Sequence, residues 1–163
     1  MIGTSTLGVA AFTGSVSTDV MALGALVVVL VLLALYSGAA QAVSIGLASL
    51  FALVLLIFAK EAAFLSAIPL DTPSYERTFL LILFALLAVL FKLMTRDILH
   101  MTAPMQAIIA GISASCLVLL AWVSTPVLAD WFRFGPTITA IFDASFRFWW
   151  ILVAFALFGF SRM

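Results

Sequence analysis

Four long apolar runs constrain this chain more than any other feature of its sequence. A helix that crosses a membrane needs about 20 predominantly apolar residues, within a range of about 17 to 25. Four predicted helices meet that length, and they cover residues 20–36, 43–67, 73–94 and 104–124. The sequence therefore predicts an all-α, polytopic transmembrane protein.

The composition supports this prediction. Of the 163 residues, 66% are hydrophobic and only 9% are charged, whereas soluble domains carry about 25% charged residues. Seven basic residues balance seven acidic ones, so there is no excess positive charge for nucleic acid or an anionic surface. One cysteine and one histidine exclude an internal disulfide and a bis-histidine haem site.

A fifth span is predicted near the C-terminus. The apolar run from Phe148 to Phe160 would extend only about 20 Å as a helix, which is shorter than the roughly 30 Å hydrocarbon core. Proline is favoured at the first position of a helix, and Pro136 follows Gly135. We therefore expect one continuous helix over residues 136–160, about 37 Å long, and five spanning helices in all.

This fifth helix would hold two charges inside the bilayer. Asp143 and Arg147 are four residues apart, a spacing at which an acid and a base on one helix face can neutralise each other. Either both side chains snorkel to the headgroups, or the pair faces a partner helix or a wet path. Both interpretations remain open at this point.

Small residues predict where the helices pack. Gly111 and Ser115 share one face of the fourth helix, and Gly46 lies on a similar face of the second. Small side chains let helix backbones approach closely in lipid. The short, uncharged connection at residues 37–42 predicts a tight hairpin between the first two helices.

The remaining features bound the domain organisation. We expect a single membrane domain over residues 1–163, with a short segment, 1–18, before the first helix. That segment has no Lys or Arg, unlike the charged start of a signal peptide, so we expect insertion without a cleaved leader. We expect Lys60 and Glu61 to pair at one membrane surface.

No sequence motif of an enzyme or of a metal site occurs in the chain. A proton pump would need several buried acids in its helices, which are also absent from the predicted spans. The chain is therefore interpreted as a non-catalytic subunit without a cofactor, in contact with lipid and with other subunits.

One family resembles this chain at two motifs. The stretch FGPTITAIFDAS, residues 134–145, is similar to the start of the last helix of chain 6 of respiratory NADH:ubiquinone oxidoreductase, called subunit J in bacteria. The stretch LLAVLFKLM, residues 86–94, resembles a segment of that family's third helix. The family carries a π-bulge beside a Tyr-x-Gly-Ala stretch, where this chain has FALLA at residues 84–88.

The resemblance implies a function. The chain would be a membrane-arm subunit of a proton-pumping NADH:quinone oxidoreductase in the mitochondrial inner membrane or, alternatively, in a bacterial plasma membrane. It would help couple quinone reduction to proton translocation, surrounded by other membrane-arm subunits. The third helix would gate a water path, and the implied gating residues are Ala85, Ala88, Val89 and Phe91.

A different class of function stays open. Membrane scaffold proteins of the colicin V production type also have a short glycine-containing turn after the first helix, followed by a serine. Here these are Gly38 and Ser44, although the arginines typical of that turn are missing. A free-standing transporter would need discontinuous helices and polar residues near the midplane, which the first and third helices lack.

Overall fold

The computed structural model describes residues 18–62, 69–95 and 103–160, and every regular element in these ranges is helical. The elements are α1 (Thr18–Ser37), α2 (Ala39–Glu61), α3 (Pro73–Thr95), α4 (Pro104–Ser124), α5 (Pro126–Ala129), α6 (Pro136–Ile141) and α7 (Arg147–Phe160). The all-α prediction is confirmed. Most of the predicted N-terminal segment, residues 1–17, lies outside the described residues.

Four of these helices, α1 to α4, are long and apolar enough to cross a membrane. The chain is therefore compatible with an integral membrane protein. The predicted count of five spans is not confirmed, because α7 has only 14 residues and α6 only 6.

The hairpin between α1 and α2 is tighter than expected. Gly38 alone separates the two helices, so α2 begins four residues before the predicted start at Val43. The φ angle of Gly38 is 90°, which glycine adopts without steric cost. At its other end α2 stops at Glu61, because Ala62 has an extended backbone, and residues 63–68 of the predicted continuation lie outside the described residues.

The helices α2 and α4 form the middle of the bundle. In their most apolar windows, 50% of α2 and 56% of α4 are buried, against 11% of both α1 and α3. The helix α4 packs against α1, α2 and α7, while α2 also packs against α3. The outer faces of α1, α3 and α7 remain exposed in the described structure.

Glycines allow the closest helix contacts. A Cβ atom added to Gly111 would lie 2.6 Å from the Cα of Val31 in α1, and one added to Gly46 would lie 2.9 Å from the Cα of Ala114 in α4. Both distances are shorter than any ordinary contact between non-bonded carbon atoms. The side chain of Ser115 is also buried, and its hydroxyl donates to the Gly111 carbonyl at 2.7 Å.

The predicted fifth helix is broken into α6 and α7, so the expected continuous helix over 136–160 does not form. The two pieces still follow α4 in the antiparallel direction. Ile138 of α6 packs in one cluster with Leu119 and Leu120 of α4, and Ser113 of α4 donates a hydrogen bond of 2.8 Å to the Ala154 carbonyl of α7. The break therefore lies along the side of the central helix.

Candidate functional site

The break between α6 and α7 is held open by side chains that replace helical hydrogen bonds. The indole Nε1 of Trp150 donates to the carbonyl of Ile141 at 2.8 Å, and the Nε of Arg147 donates to the carbonyl of Phe142 at 3.4 Å. In a continuous helix those two carbonyls would accept bonds from the backbone N–H groups four residues later. The side-chain donors thus satisfy the carbonyls at the end of α6.

Ring packing also stabilises the break. The ring of Phe142 is buried, and its centroid lies 5.2 Å from that of Trp150. The backbone carbonyl of Asp143 accepts hydrogen bonds from the N–H groups of both Phe146 and Arg147. Asp and Ser, which occur at positions 143 and 145, favour turns over helix interiors because their side chains compete for backbone hydrogen bonds.

The break lies beside the second half of α4. Cys116 of α4 is within 3.9 Å of the Trp150 carbonyl, so these two residues are level. Because Cys116 is eight residues before the end of α4 at Ser124, it lies about 12 Å inside that end. Arg147 is three residues before Trp150 and is therefore closer to the same end of α4.

The structure does not bring Asp143 and Arg147 together as an ion pair. The ion pairs among the described residues join Lys60 to Glu76 and Asp130 to both Arg77 and Arg133. The predicted pairing required a helix through both residues, and that helix is interrupted. The Asp143 carboxylate has no partner in the described ranges, and the Arg147 guanidinium contacts only the Phe142 carbonyl.

Aromatic side chains surround the break on its outer side. Phe146, Phe148 and Trp149 are 54%, 65% and 60% exposed, and the rings of Phe148 and Trp149 pack edge to face at 5.7 Å. A broad, open concavity of about 600 Å³ lies between α6 and α7. We call the surface formed by Asp143, Phe146, Arg147, Phe148 and Trp149 the break face.

The four implied gating residues lie in an unbroken part of α3. The helix is α-helical from Pro73 to Thr95, without a π-bulge. Val89 is 60% exposed on its outer face, and Ala85 is also exposed while Ala88 is partly buried. Phe91 packs against Phe51 of α2 with ring centroids 5.4 Å apart. Only part of the segment therefore faces away from the bundle.

Ion pairs join separate elements at the end of the bundle where α2 ends and α3 begins. Lys60 of α2 binds Glu76 of α3 at 2.8 Å, so Glu61 is not its partner as expected. Arg77 of α3 binds Asp130 at 2.6 Å, and Arg133 lies 3.7 Å from the same side chain. Sequence analysis missed the pairs Lys60–Glu76 and Arg77–Asp130 because their members are far apart in the sequence.

A second contact at this end was also missed. The Asp19 carboxylate accepts a hydrogen bond of 2.7 Å from the N–H of Gly135, directly before the first residue of α6. A side chain at position 135 would collide with Asp19, which explains the glycine. An acid in the first turn of α1 and a Gly-Pro step were both visible in the sequence, but nothing there linked residues 116 positions apart.

Trp122 and Trp131 lie at the same end of the bundle, where α2 ends and α3 begins. Their ring centroids are 6.5 Å apart, and the Nε1 of Trp122 donates to the Phe132 carbonyl at 3.1 Å. Beside them, an apolar cavity of about 150 Å³ lies between α2, α3 and α4. Paired tryptophans at one end of a bundle are typical of the region where a membrane meets water.

The opposite end has a polar contact between α2 and α3. The hydroxyls of Ser44 and Thr95 are 3.0 Å apart, and both residues are buried. Each hydroxyl also lies within hydrogen-bonding distance of a carbonyl of its own helix, Ser44 of Ala40 at 2.6 Å and Thr95 of Phe91 at 2.7 Å. Because a hydroxyl has one proton, one of the two donates to the other while the second donates to its own carbonyl. Ser44 therefore has a structural role in joining the first hairpin to α3.

The described residues contain no group of three or more side chains that could hold a metal ion. No protein-family model matches the sequence, and neither a curated protein nor a solved structure shows significant similarity to it.

Proposed function

We propose that this chain is a non-catalytic membrane subunit that acts by binding other membrane proteins. One observation carries the proposal, namely the close packing between the central helices. At Gly46 and Gly111 the backbones of neighbouring helices are too close for even one added methyl group. At these two contacts no space is left between the helices for a substrate or for a file of water molecules.

The buried polar groups support the same proposal. The hydroxyls of Ser44, Ser113 and Ser115 all lie 2.6 to 2.8 Å from backbone carbonyls. The bond from Ser113 joins two helices, and the other two lie within one helix, so all three hydroxyls are satisfied inside the bundle. In the described ranges the charged groups lie at the ends of the bundle or at the break face, so contacts with other molecules have to be made at the surface.

The first specific form of the proposal is a place in the membrane arm of a proton-pumping NADH:quinone oxidoreductase, in a mitochondrial inner membrane or a bacterial plasma membrane. This form rests on the resemblance of residues 86–94 and 134–145 alone. In it, the exposed side of α3 around Val89 contacts neighbouring subunits. Because α3 is regular, a gating role would require a second conformation in addition to the one described.

The second specific form is a membrane scaffold outside respiration, of the colicin V production type. Two observations favour it. Gly38 is the entire connection between α1 and α2, with its positive φ angle, and Ser44 is buried in contact with Thr95. These are the two features that this chain shares with that class, and in the fold both have a structural reason to be present.

Native-gel separation of gently solubilised membranes tests the proposal. The tagged chain is expected in a band larger than one copy, together with a partner. A very large band with NADH-oxidising activity supports the respiratory form, and a small band without that activity supports the scaffold form. A chain that runs as a single copy, with native stability and no partner, contradicts both.

A further inference from the structure

We propose that the apolar cavity between α2, α3 and α4 holds the hydrocarbon chain of one membrane lipid. General contact with lipid is expected at the outside of any integral membrane protein, whereas this inference assigns one chain to one defined cavity. It goes beyond the proposed function, because it concerns a ligand and not a protein partner.

The cavity has a buried floor and an exposed mouth. Its volume is about 150 Å³, and all three helices contribute to its floor, through Ala52 of α2, Leu80 of α3 and Ala121 of α4. These three residues are buried. Leu81 and Trp131 line the cavity as well, but both side chains are exposed. The cavity therefore opens at the surface of the bundle beside Leu81 and Trp131, and a molecule that enters there reaches buried side chains.

The chemistry of the lining selects an apolar occupant. Among the described residues, the hydroxyls of Ser49 and Thr125 each donate to a carbonyl three or four residues earlier, at 2.8 and 2.7 Å. The indole N–H of Trp122 donates to the Phe132 carbonyl at 3.1 Å, and the indole of Trp131 belongs to the exposed mouth. A buried water molecule needs about two to four polar partners, which this floor does not offer, so the floor suits hydrocarbon.

The size and the opening favour a chain over a compact molecule. An apolar cavity of about 150 Å³ accepts a molecule of the size of benzene, and therefore a few methylene groups, while the open mouth lets a longer chain continue outside. Unfilled space in a protein interior lowers stability in proportion to its volume, and an entering chain supplies the contacts that the lining lacks. The chain has four helices with the length and composition of membrane spans, and in a membrane the most abundant apolar molecules are lipid chains.

Photochemical labelling tests the inference. The purified full-length chain is placed in phosphatidylcholine vesicles that contain a small fraction of phosphatidylcholine with a diazirine in the middle of one acyl chain. After illumination, adducts are located by peptide mass spectrometry. Lipid around the bundle labels exposed residues such as Val89 of α3. A chain inside the cavity also reaches the floor, so adducts at Leu80 and Ala121 are expected in the wild type.

Two variants close the cavity from different sides. Leu81→Trp places a large ring at the exposed mouth without changing the floor, and Ala121→Leu fills part of the floor. In each variant, the yield of adducts at Leu80 relative to Val89 is expected to fall at least about fivefold, because the new side chain occupies the space. Leu86→Trp is the matched control for the first variant, since Leu86 is also exposed on α3 but does not line the cavity. It should leave the ratio unchanged.

Either of two results overturns the inference. In the first, the floor carries no adducts in the wild type although Val89 does, and in the second, adducts at Leu80 persist undiminished in both variants. A partner protein whose side chain fills the cavity gives the first result, and then the proposed function stands while the cavity has a different occupant. Because native-gel separation measures partners and this labelling measures the floor alone, the two proposals fail independently.

Discussion

The helix α4 and the neighbouring pair α6 and α7 run antiparallel along the side of the bundle, but they satisfy their backbone hydrogen bonds differently. The helix α4 is continuous and uses small residues, so its backbone bonds are internal and its contacts are close. Its neighbour is interrupted and uses Trp150 and Arg147 to satisfy backbone carbonyls. The difference is that one region satisfies its backbone carbonyls within a continuous helix, whereas the other relies on side chains to do so.

The largest effect is expected where α4 meets α1. Gly111→Leu would place a side chain against the backbone of Val31, where even a Cβ is too close, and overpacking of this kind costs about 3 kcal/mol. Unfolding by denaturant in detergent measures the loss. Gly159→Ala is the control, because nothing lies within 4 Å of its added Cβ and alanine favours the helix. Equal effects at the two positions would contradict the packing of α4.

The second-largest loss of stability is expected at the break between α6 and α7. Trp150→Phe keeps a ring against Phe142 but removes the donor to the Ile141 carbonyl, and an unsatisfied carbonyl in an apolar setting costs about 1–3 kcal/mol. Trp149→Phe is the matched control, since Trp149 is 60% exposed and makes no hydrogen bond through its side chain in the described residues. If both substitutions changed the free energy of unfolding equally, Trp150 would not be what holds the break.

A smaller effect is expected at the entrance to α6. Asp19→Ala removes the acceptor for the Gly135 N–H, and the loss of a comparable helix cap costs about 1 kcal/mol. Proteolysis between α5 and α6 should become faster in the same variant, because that loop loses its attachment to α1. Asp71→Ala serves as the control, since Asp71 is exposed. An unchanged proteolysis rate in Asp19→Ala would show that the contact does not order the loop.

The smallest loss of stability is expected at the hydrogen bond between α4 and α7. Ser113→Ala removes the hydrogen bond from α4 to the Ala154 carbonyl of α7, and such bonds between membrane helices average about 0.6 kcal/mol. Ser115→Ala removes a bond within α4 itself and should change the free energy of unfolding less. A larger loss in Ser115→Ala would mean that α7 depends little on this contact.

The comparison also explains what could be predicted from the sequence. Hydrophobic length alone indicated the helices α1 to α4, because lipid imposes that length on any spanning helix. Small residues at regular spacing indicated the packing faces of Gly46 and Gly111, because only small residues permit such contacts. Both predictions need only the sequence of a single helix, because neither depends on which other segment that helix contacts.

The break in the fifth segment could not be predicted in the same way. It depends on the side chains of Trp150 and Arg147, which donate to carbonyls nine and five residues earlier in place of the backbone N–H groups of a continuous helix. The contacts of Asp19 with Gly135, and of Lys60 with Glu76, depend on which helix ends meet in space. No periodicity in the sequence contains that information.

The one-residue connection at Gly38 has a consequence for how the chain enters a membrane. A connector between two spans ordinarily carries polar groups that have to be translocated to the far side, at a cost in desolvation. Here a single glycine stands between α1 and α2, so a hairpin of these two helices would carry almost no polar connector across a membrane. A longer polar connector would raise the desolvation cost of moving the same two helices into lipid.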